Sequence, residues 1–169
     1  MMEFAVRPST KSDLAAVDAV LARSYPKLLK HDYPPSVLVT ALPLISKAQP
    51  ALMSCGTYYV AEMPDGRILG AGGITRDRAR ADIGHVRHVA TDPDHTRQGV
   101  AGAILRHALT RARDSGLVHI ECWATRTAVP FYRAQGFDEK GPIDVPLAPG
   151  ISFPAVRMTQ SLSSPAFCR

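Results

Sequence analysis

The segment Thr96-Arg97-Gln98-Gly99-Val100-Ala101-Gly102 carries a glycine where a predicted strand gives way to a predicted helix. The first turn of a helix has main-chain N–H groups without partners, and its dipole favours negative charge there. At a glycine, an anion can approach the backbone with no Cβ in the way. The chemistry this spacing suits is binding of a polyanion, a pyrophosphate first of all. A dipole–anion interaction of this kind is worth about 0.3–1 kcal/mol when exposed, and convergent N–H donors add to it. From the loop alone, a tight strand-to-helix turn that merely needs glycine reads equally well. No Gly-Lys-Ser/Thr follows, so this is not a nucleotide-triphosphatase loop. GxGxxG is also absent, so a dinucleotide fold has no support.

Few other residues have chemistry-bearing spacing. Cys55, Cys122 and Cys168 are an odd count with no metal-ligand pattern. Structural disulfides and zinc are therefore not expected, and a reducing, cytoplasmic location fits. Cys122 has no partner in sequence and reads as a small buried residue. His31, His95, His107 and His119 show no metal spacing. The Gly70, Gly72 and Gly73 cluster weakens a strand and suggests a bulge rather than a second anion loop.

The elements that must position the loop follow from periodicity. Residues 4–8 read as a strand, and Thr10 or Ser12 as the cap of a helix with the apolar stripe Leu14, Val17, Val20 and Leu21. A second helix is expected near Ser36 to Lys47. Residues 57–63 and 67–75 form a hairpin about Pro64-Asp65-Gly66. Residues 84–91 are a further strand. Its alternation sets His85, Arg87 and Val89 on one face and Val86, His88 and Ala90 on the other. Ala101, Ile104, Leu105, Ala108, Leu109 and Ala112 then fall on one helix face, the strongest periodic signal in the chain. Gly116 ends that helix. A strand over 117–123, a short helix from a Thr127 cap to Gln135, and a proline-broken tail with a strand-like run at 151–160 complete the order. The order β-α-α-β-β-β-α-β-α-β-β predicts an α/β fold, a mixed central sheet flanked by helices, in one domain over residues 1–169.

Bulk properties agree. The 169 residues suit one core, and 46% hydrophobic with 21% charged residues describes a folded chain. No apolar run is long enough for a membrane span, and the N-terminus has no leader pattern, so no membrane association is expected. The formal charge of +5 admits nucleic acid, but there is no aromatic-basic stripe or helix-turn-helix signature, so no nucleic-acid partner is expected. A cofactor bearing several phosphates explains the surplus at least as well.

Two motifs together resemble the GNAT superfamily of N-acetyltransferases. The family's coenzyme loop follows Gln/Arg-x-x-Gly-x-Gly/Ala; here the matching positions are Thr96, Gly99 and Ala101, with Thr96 departing from the pattern. Downstream, Ala128 to Phe137 resembles the family's penultimate helix, which ends Phe-Tyr-x-x-x-Gly-Phe. One helix and one strand separate the two, as in the family. The likeness spans about residues 4–137 and is loose over 26–60 and beyond 138, the parts that would set substrate choice.

The resemblance implies direct transfer of the acetyl group of acetyl-CoA to a primary amine on a small molecule or peptide, with no metal. It implies a pantetheine arm paired to Val89, Ala90 and Thr91 like an added strand, and a pyrophosphate on the amides of Arg97, Gln98, Gly99, Val100, Ala101 and Gly102. Dimers are frequent in the family, so a homodimer is among the implied states. Tyr132, in the matching Phe-Tyr pair, is the implied general acid for the leaving thiolate. His85 is the implied base, since some members place a Glu or His at this strand position. His88, Glu121 and an ordered water are the other options for the base. The amide of Val89 or Ala90 would polarise the thioester carbonyl. A coenzyme-binding regulatory module without catalysis is the alternative reading of the same motifs.

Overall fold

The computed structural model describes residues 3–162. Seven strands form one mixed sheet in the order β1-β2-β3-β4-β5-β7-β6. The strands are β1 (Ala5–Pro8), β2 (Tyr58–Glu62), β3 (Ile68–Arg76), β4 (Ile83–Thr91), β5 (His119–Ala124), β6 (Asp138–Ala148) and β7 (Ile151–Ser161). Every neighbouring pair is antiparallel except β4–β5, which is parallel. The helices are α1 (Leu14–Leu29), α2 (Pro35–Ile45), α3 (Pro50–Met53), α4 (Val100–Asp114) and α5 (Val129–Ala134). The predicted element order holds, with the single turn α3 added. No helix among the described residues is long and apolar enough to cross a membrane. Cys168 lies outside the described residues; Cys55 and Cys122 are free thiols.

The amphipathic stripe of α4 buries Ile104, Leu105, Ala108 and Ala112 against one face of the sheet, with Tyr59, Ile74 and Ile120 opposite. Gly72 makes this approach feasible: a Cβ there would meet Val89 Cγ2 at 2.8 Å and Ile104 Cγ2 at 3.3 Å. On the other face, Val17, Val20 and Leu21 of α1 pack on Tyr58, Val60, Ala71 and Ala90. Thr10 caps the chain's entry into α1, in a reciprocal box with Asp13.

The expected bulge exists, but its extra residue is on β4. Between the pairs Ala71↔Ala90 and Gly73↔Arg87, Gly72 alone stands against both His88 and Val89. His88 takes the left-handed conformation, φ 39°, at a place where bulges ordinarily carry glycine. This corrects the simple alternation. Val86 and Val89 face α4, whereas Ala90 returns to the α1 face together with Arg87.

A second consequence follows along the sheet. β4 and β5 pair only from Ile83↔His119 to His85↔Glu121, although β4 runs on to Thr91 and β5 to Ala124. Beyond His85 the strands part, and the β5-facing edge of β4 has no strand partner.

Two boundaries differ from expectation. Thr125, not Thr127, caps the turn leading into α5, accepting a hydrogen bond from the Ala128 N–H, while Thr127 donates to Asp32 instead. The tail forms a long β6–β7 hairpin despite its prolines. Pro142 and Pro146 lie on the sheet's edge strand β6, and Pro154 lies on the part of β7 that β5 does not reach, so little pairing is lost.

Candidate active site

Where β4 and β5 separate, two cavities open and meet. The first, of about 710 Å³, runs along Val89, Ala90 and Thr91 to Arg97 and the Gly99–Gly102 turn. The second, of about 470 Å³, lies under α2 and the β6–β7 hairpin. Tyr25, Val89, Thr125, Ala128 and Tyr132 line both.

The turn at the start of α4 is built for an anion. Gly99 is left-handed at φ 82° and Arg97, unusually for a residue with a Cβ, at φ 62°. Successive N–H groups in such a turn converge on a concavity. The first helical bond is Ala103 N–H to the Gly99 carbonyl; among the described residues, no acceptor takes the N–H groups of Arg97 through Gly102. Arg97 and Arg106 are positive at this cavity, and no carboxylate lines it. Gln98 alone of the predicted coenzyme residues is not in the lining.

Arg106 was not singled out in sequence. It stands one helical turn beyond Gly102, and a Cβ at Gly102 would come within 3.0 Å of its Nη1. That i, i+4 relation to the loop's last glycine was the available signal. Ser24 on α1 was also missed. It is fully buried, lines the first cavity, and its hydroxyl has no protein partner.

The loop is braced from α1. Arg23 pairs with both Asp92 and Asp94, and Asp92 Oδ1 accepts from the Asp94 N–H at 2.9 Å. Burial opposes ionisation of Asp92, but the Asp94 N–H and the charges of Arg23 and His95 outweigh it and hold its pKa below the usual value.

Tyr132 sits on α5 where the cavities join. Its phenol is buried and its pKa is raised well above the ordinary value, by desolvation first and by the neighbouring Cys122 next. Burial pushes the Cys122 thiol up to about 12, which keeps it protonated and unsuited to act as a nucleophile.

The two histidines of β4 part company. His85 occupies the last position paired to β5, donates its Nε2–H to Asp77 Oδ1 at 2.7 Å, and lines neither cavity. The structure therefore does not bring it to Tyr132. His88, in the bulge, lines the second cavity. Burial first, and the charge of Arg87 next, lower its pKa and favour the neutral ring. The Gln49 amide nitrogen is 3.1 Å from His88 Nε2. An amide NH₂ can only donate, so His88 Nε2 is the acceptor, and its one lone pair is held by Gln49 until a better donor displaces it. Glu121 is tied to Arg157 at 2.6 Å.

A seven-stranded mixed sheet parted at one parallel pair, with an amide-lined turn suited to an anion at the mouth of the gap, defines the class of fold. Residues 40–158 match the family described as Acetyltransferase (GNAT) domain, and the protein belongs to this GNAT acetyltransferase family. An amino-acid acetyltransferase of Mycobacterium tuberculosis is 34% identical over 84 residues, 48% of this chain and 46% of that relative, so the match spans about half the length of each. A GCN5-related N-acetyltransferase from Rhodopseudomonas palustris has the same fold, with TM-score 0.78 at 20% identity over 96% of this chain and 98% of that one. An N-acetyltransferase of Thermoplasma acidophilum, solved in complex with coenzyme A, aligns with TM-score 0.73 at 14% identity, over 95% and 100% of the chains.

Proposed function

We propose that the protein transfers the acetyl group of acetyl-CoA directly to a primary amine. The observation that carries this reading is the run of acceptor-free amides from Arg97 to Gly102, opening into a cavity that follows the unpaired edge of β4 to Tyr132. The fit of a coenzyme rests on two features: those amides, and the Arg97 and Arg106 charges with no opposing carboxylate. Coenzyme binding in the similar Thermoplasma acidophilum structure supports it.

When bound, acetyl-CoA supplies an acyl carbon activated by a thiol leaving group. The chain's own residues do the rest. Arg97 to Gly102 hold the diphosphate, and the free edge at Val89, Ala90 and Thr91 aligns the pantetheine arm by main-chain bonds. The Val89 or Ala90 N–H polarises the carbonyl. An aliphatic amine has a pKa of about 10.4, so it arrives as an ammonium and must lose a proton. His88, neutral and lining the second cavity, is the base we favour over His85; the ammonium competes with Gln49 for the Nε2 lone pair. As the N–C bond forms and the C–S bond breaks, the Tyr132 hydroxyl donates a hydrogen bond to the departing thiolate, and the proton released by the amine is passed through His88 to solvent. With its pKa raised by burial, that phenol stays protonated and stabilises the developing thiolate first as a hydrogen-bond donor.

The direct test is thiol release from acetyl-CoA across a panel of amines, beside thermal melts with and without acetyl-CoA. Amine-dependent release and a coenzyme-dependent rise in Tm are expected. A melt unmoved at millimolar acetyl-CoA would overturn the reading.

A further inference from the structure

The second cavity is chemically one-sided. Part of its wall is apolar, with Leu44 and Ile45 from α2, Val145 and Phe153 from the hairpin, and Trp123 from β5, while Gln49, His88 and Thr125 add polar groups. One formal charge lines it, that of Arg87, and no carboxylate does. The Arg87 Nε donates to Thr75 Oγ1 at 2.8 Å, which fixes the plane of the guanidinium. Among the described residues neither Nη has a hydrogen-bond or ion-pair partner. The nearby carboxylates are committed elsewhere: Glu121 to Arg157 at 2.6 Å and Asp77 to His85 at 2.7 Å. A guanidinium held at one nitrogen, with its remaining fork free beside a partly apolar chamber, matches a planar carboxylate.

We propose that Arg87 binds the carboxylate of the acceptor, and that the acceptor is a small amine bearing both a carboxylate and an apolar side chain, the class of apolar α-amino acids. This rests on the acetyltransfer proposed above. Arg87 and His88 adjoin in sequence and both line the cavity, so one bound molecule can present its carboxylate to the first and its amine to the second. Its side chain would then replace water against Leu44, Val145 and Phe153. A polyamine meets only a like charge here. The volume of about 470 Å³ lies within the roughly 300–1,000 Å³ range of small-molecule sites.

The test compares kcat/KM for leucine and phenylalanine with leucinamide, isoamylamine, spermidine and the aminophosphonate analogue of leucine, in wild type, Arg87→Met and Arg87→Lys. For wild type, loss of the carboxylate is expected to lower kcat/KM roughly a hundredfold, although leucinamide has the less basic and so more readily neutral amine. Arg87→Met should shrink the leucine-to-leucinamide ratio at least tenfold while the coenzyme's Tm shift stays as in wild type. Arg87→Lys should restore part of the ratio through charge without the fork. Wild type that prefers spermidine, leucinamide or the phosphonate, or an Arg87→Met enzyme that keeps the ratio, overturns the proposal and leaves acetyltransfer standing. No thiol release with any amine, together with no coenzyme-induced Tm shift, would sink the acetyltransferase reading itself.

Discussion

Tyr58 on β2 donates its hydroxyl hydrogen to the main-chain carbonyl of His88 at 2.8 Å, tying the α1 face of the sheet to the bulge in β4. The bulge needs such a tie. A left-handed histidine persists only where its surroundings hold it. The same bulge turns Val89 toward α4 and leaves the edge of β4 open for a ligand. Tyr58→Phe should therefore cost about 1–3 kcal/mol, the range for stranding a buried polar group. It should also raise KM for acetyl-CoA. Urea unfolding and steady-state kinetics measure the two effects. Loss of stability with an unchanged KM would show that the tie serves the fold alone.

Gly99 offers a cleaner probe of the loop. Its φ of 82° strains any residue with a Cβ, yet nothing lies within 4 Å of where that Cβ would stand. Substitution therefore tests backbone preference without a clash. Gly99→Ala should lose about 1–2 kcal/mol, and Gly99→Asn less, because asparagine tolerates this conformation. Both should lose part of the acetyl-CoA Tm shift, in the same order. A full shift in Gly99→Ala would show that the N–H groups at this turn do not hold the coenzyme.

The loop, α4 and the order of the elements were legible because each has a local cause: a glycine between two periodic runs, and a six-position apolar stripe from Ala101 to Ala112. The bulge was not, because histidine stands where glycine would announce it. Alternation therefore assigned Val89 and Ala90 to the wrong faces. The prolines obscured only the extent of the β6–β7 hairpin, whose strands each run eleven residues because Pro142 and Pro146 lie on the edge strand and Pro154 lies where β5 does not reach. Arg87 read as one arginine among many. Its significance comes from which carboxylates are already paired, and that is a property of the assembled sheet. His85 carried the sequence expectation for the base, yet strand pairing keeps it on the closed side of the point where β4 and β5 separate.

Those two histidines separate by pH. Burial and Arg87 lower the pKa of His88, with the neutral Gln49 amide against its ring. The acidic limb of kcat/KM should therefore lie below the ordinary histidine value of about 6.5. His88→Ala should remove that limb, and His85→Ala should leave it. Stability follows with a definite sign. As pH falls through about 6.5 the unfolded histidine takes up a proton that the native one still refuses, so stability declines until the native pKa is passed. The wild-type urea midpoint should fall with pH across this window more steeply than that of His88→Ala. A limb that disappears in His85→Ala instead would return the base to the position expected from sequence.

Tyr132→Phe distinguishes an enzyme from a module that only binds coenzyme. The ring is buried between Phe131 and Phe137, at 5.1 and 5.5 Å between centroids, and phenylalanine preserves that packing. Only the hydroxyl is lost. If it donates a hydrogen bond to the departing thiolate, kcat should fall at least tenfold while the acetyl-CoA Tm shift remains. The deficit should be smallest with an acyl donor whose thiol is more acidic, because that leaving group needs the donor least. Equal deficits for all donors would give the hydroxyl a role other than assisting the leaving thiolate. An unchanged kcat would place the donor elsewhere, with water entering where the two cavities meet as the remaining source.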